Sequence, residues 1–280
     1  MRVIESCAQC LYEKQRKRAD HPEYLREIAD IIAHRSPEDT APYLVHKFNQ
    51  VYEKYFGEVP SYAIIKRQYN DLVLSKEAAI RQQIESSGNP LRTALLYARV
   101  GNYIDFGAMN RVDEETFLTL LQEAELQERD ILPLEEFEAQ CSKANRFLLL
   151  ADNCGEIVLD KLFLEQLRKK YPDLEITVMV REKEVLNDAT PEDAHYVGID
   201  RVARIVTNGT SVAGTVYTML PANARNIFDE AEVILSKGQG NYETLCNQGF
   251  HIFYSFLCKC ELFTKRFAVP RLTGIFTEER

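Results

Sequence analysis

Beyond about residue 140, the chain alternates short apolar runs with longer segments that carry apolar residues at helical spacing. Runs of this length are typical of buried strands, and the segments between them are long enough to cross back over a sheet as helices. The predicted strands lie near residues 146–151, 176–180, 203–207, 232–236 and 251–257, with a possible sixth near 273–277. This alternation predicts an α/β fold with a doubly wound, mostly parallel sheet and right-handed crossovers.

The first 140 residues follow a helical pattern instead. Prolines at positions 37, 42, 60, 90 and 133 punctuate this pattern. The predicted helices cover Gln9–Ala19, Pro22–Arg35, Ala41–Phe56, Tyr62–Glu85, Pro90–Val100 and Glu114–Gln127. We therefore predict two parts, an all-helical N-terminal region over residues 1–140 and an α/β domain over residues 141–280.

Composition restricts the classes of function. The 280-residue chain has a formal net charge of −9 and a pI near 5.3, whereas nucleic-acid-binding proteins usually present a basic face. No apolar stretch approaches the roughly 20 residues that span a bilayer, and the N-terminus lacks the apolar core of a signal peptide. Seven scattered cysteines do not resemble a secreted disulfide framework. We expect a cytoplasmic protein that binds neither nucleic acid nor membrane, and the oligomeric state stays open.

Carboxylate and amide side chains follow the first two predicted strands. Asp152 and Asn153 come directly after the first strand, and Asn187 and Asp188 follow the second. Such side chains supply the hard oxygen ligands that Mg²⁺ and Mn²⁺ prefer. For one pair by itself, a helix cap or an Asx turn is the better explanation. Two carboxylates at the ends of separate strands favour a metal site.

The fourth predicted strand runs into the sequence Ser236-Lys-Gly-Gln-Gly-Asn-Tyr-Glu243. Lys237 supplies a cation, and the two glycines allow close backbone approach, which together suit a phosphate at the carboxyl edge of an open sheet. A tight strand-to-helix turn with a solvated lysine explains the sequence equally well. The third strand ends in Asn208-Gly209, a strong turn signal that can also present backbone N–H groups to an anion.

The carboxyl ends of parallel strands share one edge of a sheet, so we expect these groups to converge. A divalent metal held by carboxylates beside a lysine is what phosphoryl chemistry needs. The sequence has neither a Gly-X-X-X-X-Gly-Lys-Ser/Thr loop nor a Gly-X-Gly-X-X-Gly motif after the first strand. P-loop nucleotide hydrolysis and dinucleotide binding are therefore disfavoured.

Four segments resemble the metal-dependent damage-control phosphatases, formerly domain-of-unknown-function family eighty-nine. They are Asp152–Asp160, Asn187–Thr190, Asn208–Thr210 and Ser236–Leu245. The sequence Cys7-Ala-Gln-Cys10 and the segment Gly101–Gly107 resemble subfamily I, which carries a CxxC motif. The resemblance covers nearly the whole chain. Its specific part is the Asp-Asn-X-Gly-Glu block followed, later in the chain, by Lys-Gly-Gln-Gly-Asn.

The resemblance implies a three-layer α/β/α core and a helical N-terminal portion. It also implies hydrolysis of small phosphorylated metabolites by metal-activated water, with Mn²⁺, Mg²⁺, Co²⁺ or Ni²⁺ as the cofactor. Carried over by motif, the metal ligands are Asp152, Asn153 and Asp188, and the catalytic residues are Asp152, Lys237 and Asn241. The implied phosphate and substrate contacts are Asn208, Gly209, Lys237, Gly238, Gln239, Gly240, Asn241, Asn102 and Asp105.

Other interpretations remain open. A non-catalytic, phosphometabolite-binding regulatory protein is the alternative function, in which the metal only anchors the ligand. A methyltransferase that uses S-adenosylmethionine fits poorly, because the loop after the first strand is acidic and not Gly-rich. Cys7 and Cys10 are a redox pair, ligands of a soft metal or structural residues, and their spacing alone favours the structural role. The physiological substrate is not predicted.

Overall fold

The computed structural model describes residues 1–105 and 113–280, except the side chain of Glu114. Phe106 and Gly107, the end of the predicted Gly101–Gly107 loop, lie outside the described residues. The strands are β1 (Arg146–Leu150), β2 (Glu175–Val180), β3 (Arg204–Thr207), β4 (Val233–Lys237), β5 (Ile252–Leu257) and β6 (Gly274–Glu279). All six were predicted, to within two residues at each end, because each apolar run is short and bounded by turn residues.

Thirteen α-helices lie within the described residues. Those before the sheet are α1 (Glu5–Arg18), α2 (Pro22–Ala33), α3 (Ala41–Phe56), α4 (Ala63–Leu74), α5 (Glu77–Ser86), α6 (Pro90–Gly101), α7 (Glu114–Gln122) and α8 (Glu128–Cys141). Those among and after the strands are α9 (Glu156–Lys170), α10 (Pro191–Val197), α11 (Ala222–Glu230), α12 (Gly238–Leu245) and α13 (Glu261–Phe267).

The strands form one sheet in the order β3-β2-β1-β4-β5-β6. Neighbouring strands are parallel except β6, which runs antiparallel to β5. The order reverses direction beside β1, so β1 and β4 flank the switch point where ligands bind in open α/β sheets. The predicted doubly wound, mostly parallel sheet is confirmed.

Helices cover both faces of the sheet. One apolar core packs α9 and residues of α4 to α8 against one face, with Phe147, Leu149 and Leu235 pointing into it. A second core packs α11, α12 and α13 against the other face, where Leu148 and Ile234 point. This alternation along each strand follows from the two-residue period of a strand. The α/β/α layers are confirmed. The division of the chain at residue 140 stays a prediction, and the first core crosses it.

The helical region differs from its prediction at two places. The segment predicted as one helix over Tyr62–Glu85 is two helices, α4 and α5, separated at Ser75 and Lys76. No helix was predicted between Gln127 and the first strand, and Pro133 was predicted to be a break, but α8 fills this segment with Pro133 inside it. Helices α1 to α3 pack around their own small core, formed by Leu11, Tyr24, Ile28, Leu44 and Phe48. Among the described residues, no helix is long and apolar enough to cross a bilayer.

Candidate functional site

The loops after β1 and β2 are joined by main-chain hydrogen bonds at the carboxyl edge of the sheet, and we call this place the junction of the acidic loops. Asn153 and Asp188 form an isolated antiparallel bridge. The backbone N–H of Ala189 donates to the carbonyl of Asp152 at 2.7 Å. Asp152, Asn153 and Asp188, the three predicted metal ligands, are therefore brought together by main-chain bonds, and all three are buried.

The two carboxylates share one cation, Arg181, the residue directly after β2. Its Nε donates to Oδ2 of Asp188 at 2.7 Å, and its Nη2 lies 3.6 Å from Oδ1 of Asp152. Burial, followed by the charges of Asp188 and Glu156, raises the pKa of Asp152 well above its usual range. Burial raises the pKa of Asp188 to about 6, although Arg181 opposes the rise. One arginine does not fully compensate two buried carboxylates.

Two amide side chains donate to Oδ2 of Asp152, which we call its inner oxygen. Asn102 donates from Nδ2 to Oδ2 of Asp152 at 2.9 Å, and Asn153 does so at 2.6 Å. Both amides also donate to Oε2 of Glu156, at 3.0 and 3.1 Å. Asn102 therefore lies at the site, as predicted from its position in the Gly-bounded segment, and its side chain connects α6 to the end of β1.

Lys237 lies away from the position that was predicted for it. Its Nζ donates to Glu156 and to Asp160, both at 2.7 Å, and to the carbonyl of Ala98 at 2.9 Å. These three acceptors use all three N–H groups of the ammonium, and the side chain is fully buried. The assignment of Lys237 to phosphate therefore does not fit this geometry. The cation faces α9, where it neutralises two carboxylates one helical turn apart.

Asn241 was predicted to be catalytic, but its side chain is committed to structural bonds. Its Oδ1 accepts from Arg181 at 3.2 Å and from Thr215 at 2.9 Å. Its Nδ2 donates to the carbonyls of Ala151 and Lys237. These four bonds saturate the amide, so Asn241 fastens the ends of β1 and β4 and orients Arg181 without facing a substrate.

The predicted phosphate contacts Asn208 and Gly209 serve their own loop. Asn208 donates from Nδ2 to the carbonyl of Gly214 at 3.3 Å, and its Oδ1 accepts from the N–H of Thr210 at 3.0 Å. Gly209 has a φ of +70°, and a Cβ there would lie 2.6 Å from Pro221. This is the Asx-turn chemistry of an Asn-Gly pair. Neither residue presents a side chain to the junction of the acidic loops.

The glycines of the Lys-Gly-Gln-Gly-Asn block are required by close packing at the start of α12. A Cβ on Gly238, whose φ is +80°, would lie 1.9 Å from Oδ2 of Asp152. A Cβ on Gly240 would lie 2.2 Å from the carbonyl of Ala213. Helix α12 begins at Gly238, and the first N–H groups of a helix have no intrahelical acceptor. The N-terminus of α12 therefore lies at the edge that carries Asp152.

We expect Gly238→Ala to be strongly destabilising and to displace the Asp152 carboxylate. Gly249→Ala is the matched control, because Gly249 has a similar φ of +77° but a Cβ there meets nothing within 4 Å. The control isolates the cost of a left-handed backbone for a non-glycine residue, about 1 kcal/mol. Thermal unfolding measures both. Equal losses of stability in the two variants would contradict the predicted crowding.

Lys259 is a site residue that the sequence analysis missed. Its Nζ pairs with Asp105 at 2.6 Å, and its charge partly offsets the raised pKa of Asp152. Its backbone N–H donates to Oε1 of Gln239 at 2.5 Å, which ties it to the start of α12. The signal was available, because Lys259 follows the carboxyl end of β5 just as the predicted residues follow the other strands.

The raised pKa of Asp160 predicts a pH effect on stability. Burial raises this pKa to about 7, although Lys237 opposes the rise. In the unfolded chain the carboxyl ionises near its usual value of about 4. Between these two values the folded protein holds a proton that the unfolded chain releases, so through this group stability falls as the pH rises from about 4 to about 7.

The variant Asp160→Asn removes this titration while it keeps an oxygen acceptor for Lys237. We expect its free energy of unfolding to decline less than that of the wild type across the same pH range. Urea unfolding at a series of pH values measures the difference. Parallel curves for the two proteins would show that Asp160 ionises at the same pH in both states.

The cysteine pair lies on the first turns of α1, with Cys7 half-buried and Cys10 exposed. Burial, and then the neighbouring Glu243, Cys260 and Cys10, raise the pKa of Cys7 to about 11. The thiol is therefore protonated at neutral pH, which makes it a poor nucleophile. All seven cysteines of the chain are free thiols. A redox role for the pair stays a prediction.

A cavity of about 420 Å³ lies beside the loop that carries Asp188. It is lined by residues of α4 and α10 and by Glu182 and Glu184, none of them a predicted site residue. Its buried cation, Lys66, pairs with Asp193 at 2.6 Å. The candidate site is therefore the junction of the two acidic loops and not this cavity.

The donor set at the junction fits a divalent cation. Asp152 and Asp188 supply carboxylate oxygens and Asn153 supplies an amide oxygen, which are hard ligands suited to Mg²⁺ or Mn²⁺. In the described part of the chain, no group of three or more His, Cys, Asp or Glu side chains is arranged to hold a metal. The set at the junction has two carboxylates, and its third member is an amide.

Open α/β sheets bind their ligands at the carboxyl ends of the strands, beside the switch point, and this chain carries its acidic junction there. The family model of the damage-control phosphatase ARMT1-like domain matches residues 1–272. The chain belongs to this family of damage-control phosphatases, as the motif resemblance predicted.

Individual relatives agree with this assignment. A damage-control phosphatase of Archaeoglobus fulgidus is 27% identical over 275 residues, which cover 93% of each protein. An uncharacterized protein of Methanocaldococcus jannaschii is 30% identical over 207 residues, 71% of this chain and 67% of that one. The crystal structure of a DUF89 family protein from Pyrococcus horikoshii has a TM-score of 0.81 at 23% identity and covers both chains fully, which supports the fold.

Proposed function

We propose that the protein is a divalent-metal-dependent phosphatase of small phosphorylated metabolites. Membership of the phosphatase family supports the reaction class. The observation that carries the metal dependence is the bridge between Asn153 and Asp188, which holds two buried carboxylates and an amide together at one edge of the sheet. Arg181, with Lys259 and Lys66 nearby, compensates those carboxylates only in part, so a divalent cation would complete the charge balance there.

Asp152, Asn153 and Asp188 are the proposed metal ligands. A divalent cation held by these three residues would neutralise charge on a phosphoryl oxygen and would activate water. Arg181 keeps Asp188 in place through its Nε, and Asn102 and Asn153 keep Asp152 in place through its inner oxygen. Preorganised groups of this kind cost no rearrangement during the reaction.

For the phosphate we propose Lys259 and the N-terminus of α12. Lys259 is buried, and it replaces Lys237, whose three donors are used elsewhere. Gln239 supports this proposal, because its side chain connects the two groups by accepting from the N–H of Lys259. A helix N-terminus beside a cation is a suitable anion site. Asp105 contributes by holding the Lys259 ammonium at 2.6 Å.

Turnover of p-nitrophenyl phosphate tests the proposal. We expect hydrolysis by the purified protein with added Mn²⁺ and its loss with EDTA, restored by excess Mn²⁺. A panel of phosphorylated sugars and cofactors, also tested with Mg²⁺, Co²⁺ and Ni²⁺, then defines the substrate class and the preferred metal. Saturable binding of phosphorylated metabolites without any turnover would favour the regulatory alternative and contradict the enzyme proposal.

The small phosphorylated metabolite is the proposed partner, and the cytoplasm is the proposed location. Seven free thiols support the location, because a reducing compartment keeps cysteines unpaired.

A further inference from the structure

A continuous chain of bonds leads from Lys237 to the proposed metal ligand Asn153. The Lys237 ammonium donates to Oε1 of Glu156 at 2.7 Å. The other oxygen of Glu156, Oε2, accepts from Nδ2 of Asn153 at 3.1 Å. The same Nδ2 donates to Oδ2 of Asp152 at 2.6 Å. Glu156 and Lys237 are fully buried, so these bonds do not compete with water.

These bonds determine which end of the Asn153 amide faces the junction. An ionised carboxylate only accepts hydrogen bonds, whereas an amide has one donating and one accepting end. Two carboxylates therefore bind the NH₂ group of Asn153, and its Oδ1 is directed away from them. Oxygen, and not a protonated nitrogen, is the atom that ligates a hard cation.

Asn102 makes this arrangement rigid. Its Nδ2 donates to the same two carboxylates, Asp152 and Glu156, while its Oδ1 accepts from the backbone N–H of Leu257 at 3.1 Å. Because both ends of the Asn102 amide are engaged, it keeps its donors on Glu156 Oε2. The two asparagine side chains that contact Oε2 of Glu156, those of Asn102 and Asn153, therefore both contact it through their NH₂ groups.

We propose that Glu156, held by Lys237, is a positioning residue that fixes the Asn153 amide with its oxygen available to the metal. This inference rests on the proposed function, since it assumes that a divalent cation binds at the junction. Lys237 then acts on the site through Glu156 and does not contact the proposed metal ligands itself.

Glu156→Gln tests the inference. The new amide must turn its NH₂ either towards the Lys237 ammonium or towards the NH₂ groups of Asn153 and Asn102. Rotation of the Asn153 amide relieves its part of the second conflict, although the NH₂ group of Asn102 stays in place, and this rotation presents a nitrogen to the metal. We expect the Kd for Mn²⁺, measured by titration calorimetry on the purified protein, to rise by about ten- to a hundredfold.

Glu77→Gln is the matched control. Glu77 of α5 accepts from Lys161 of α9 at 2.9 Å and also pairs with Arg81, so the variant neutralises a carboxylate paired with a lysine without touching Asn153. We expect its Mn²⁺ affinity to equal that of the wild type. Equal affinities in the wild type, Glu156→Gln and Glu77→Gln would overturn the inference while leaving the metal proposal intact.

A measurement on the wild type keeps the test independent of variant folding. With its hydrogens on two buried carboxylates, the side-chain amide of Asn153 is expected to exchange slowly with solvent in NMR spectra of asparagine-labelled protein. Exchange as fast as that of an exposed asparagine would overturn the inference. Slow exchange in a wild type that binds no Mn²⁺ would instead overturn the metal proposal.

Discussion

Asp152→Asn and Asp188→Asn are each expected to lower Mn²⁺-dependent turnover by about a thousandfold, which corresponds to about 4 kcal/mol of transition-state stabilisation. The amides Asn102 and Asn153 already donate to the inner oxygen of Asp152. An asparagine at 152 therefore places its own oxygen there and turns its NH₂ outwards, where a ligand oxygen is needed. Measurement of kcat and KM at saturating Mn²⁺ tests the loss.

Folding of these two variants is expected to survive. Burial raises the pKa values of both aspartates, and the charge of Asp188 adds to the rise for Asp152, so the folded state is penalised for their charge. A neutral isostere relieves that penalty, and the thermal unfolding temperature is expected to be at least that of the wild type. Wild-type turnover in both variants would refute the assignment of the ligands.

Lys237→Met is expected to lower the free energy of unfolding by about 3–5 kcal/mol, the cost of removing one partner from a buried ion pair. The methionine fills much of the volume but leaves Glu156 and Asp160 buried without their cation. Urea unfolding of the purified variant measures the loss.

Lys259→Met is the comparison that separates structure from chemistry. The side chain of its partner Asp105 is 16% exposed, so solvent compensates that carboxylate only in part. We expect this variant to lose less stability than Lys237→Met and to lose turnover, because a cation beside the transferred group stabilises the transition state. The reverse pattern, with Lys237→Met stable and inactive, would restore Lys237 to the phosphate.

The sheet was predictable because its signals are local. The runs that became β1, β2 and β4 are mostly apolar, as expected for strands covered on both faces. Asp152 and Asp188 follow such runs, so their convergence follows from the parallel topology. The break between α4 and α5 was not predicted, since the residues around Ser75 continue the helical spacing and only tertiary packing separates them.

Side-chain direction decided which site predictions failed. Lys237 is two residues after Leu235 on β4, and it therefore faces the same core, where α9 packs. Glu156 and Asp160 are four residues apart on α9, so they share one helix face. Two acidic side chains on the buried face of a helix need a cation beside them, and in the structure Lys237 is that cation. The bonds of Asn241 to Arg181, Thr215 and Ala151 join segments that are distant in the chain, and no local pattern predicts them. The bonds of Asn208 stay within its own turn.

Anomalous diffraction from crystals soaked in Mn²⁺ tests the central claim most directly. We expect a single strong anomalous peak at the junction of the two acidic loops, within coordination distance of Asp152, Asp188 and the Oδ1 atom of Asn153. Crystals that bind Mn²⁺ only elsewhere, with this junction empty, would contradict the proposed metal site and the function built on it.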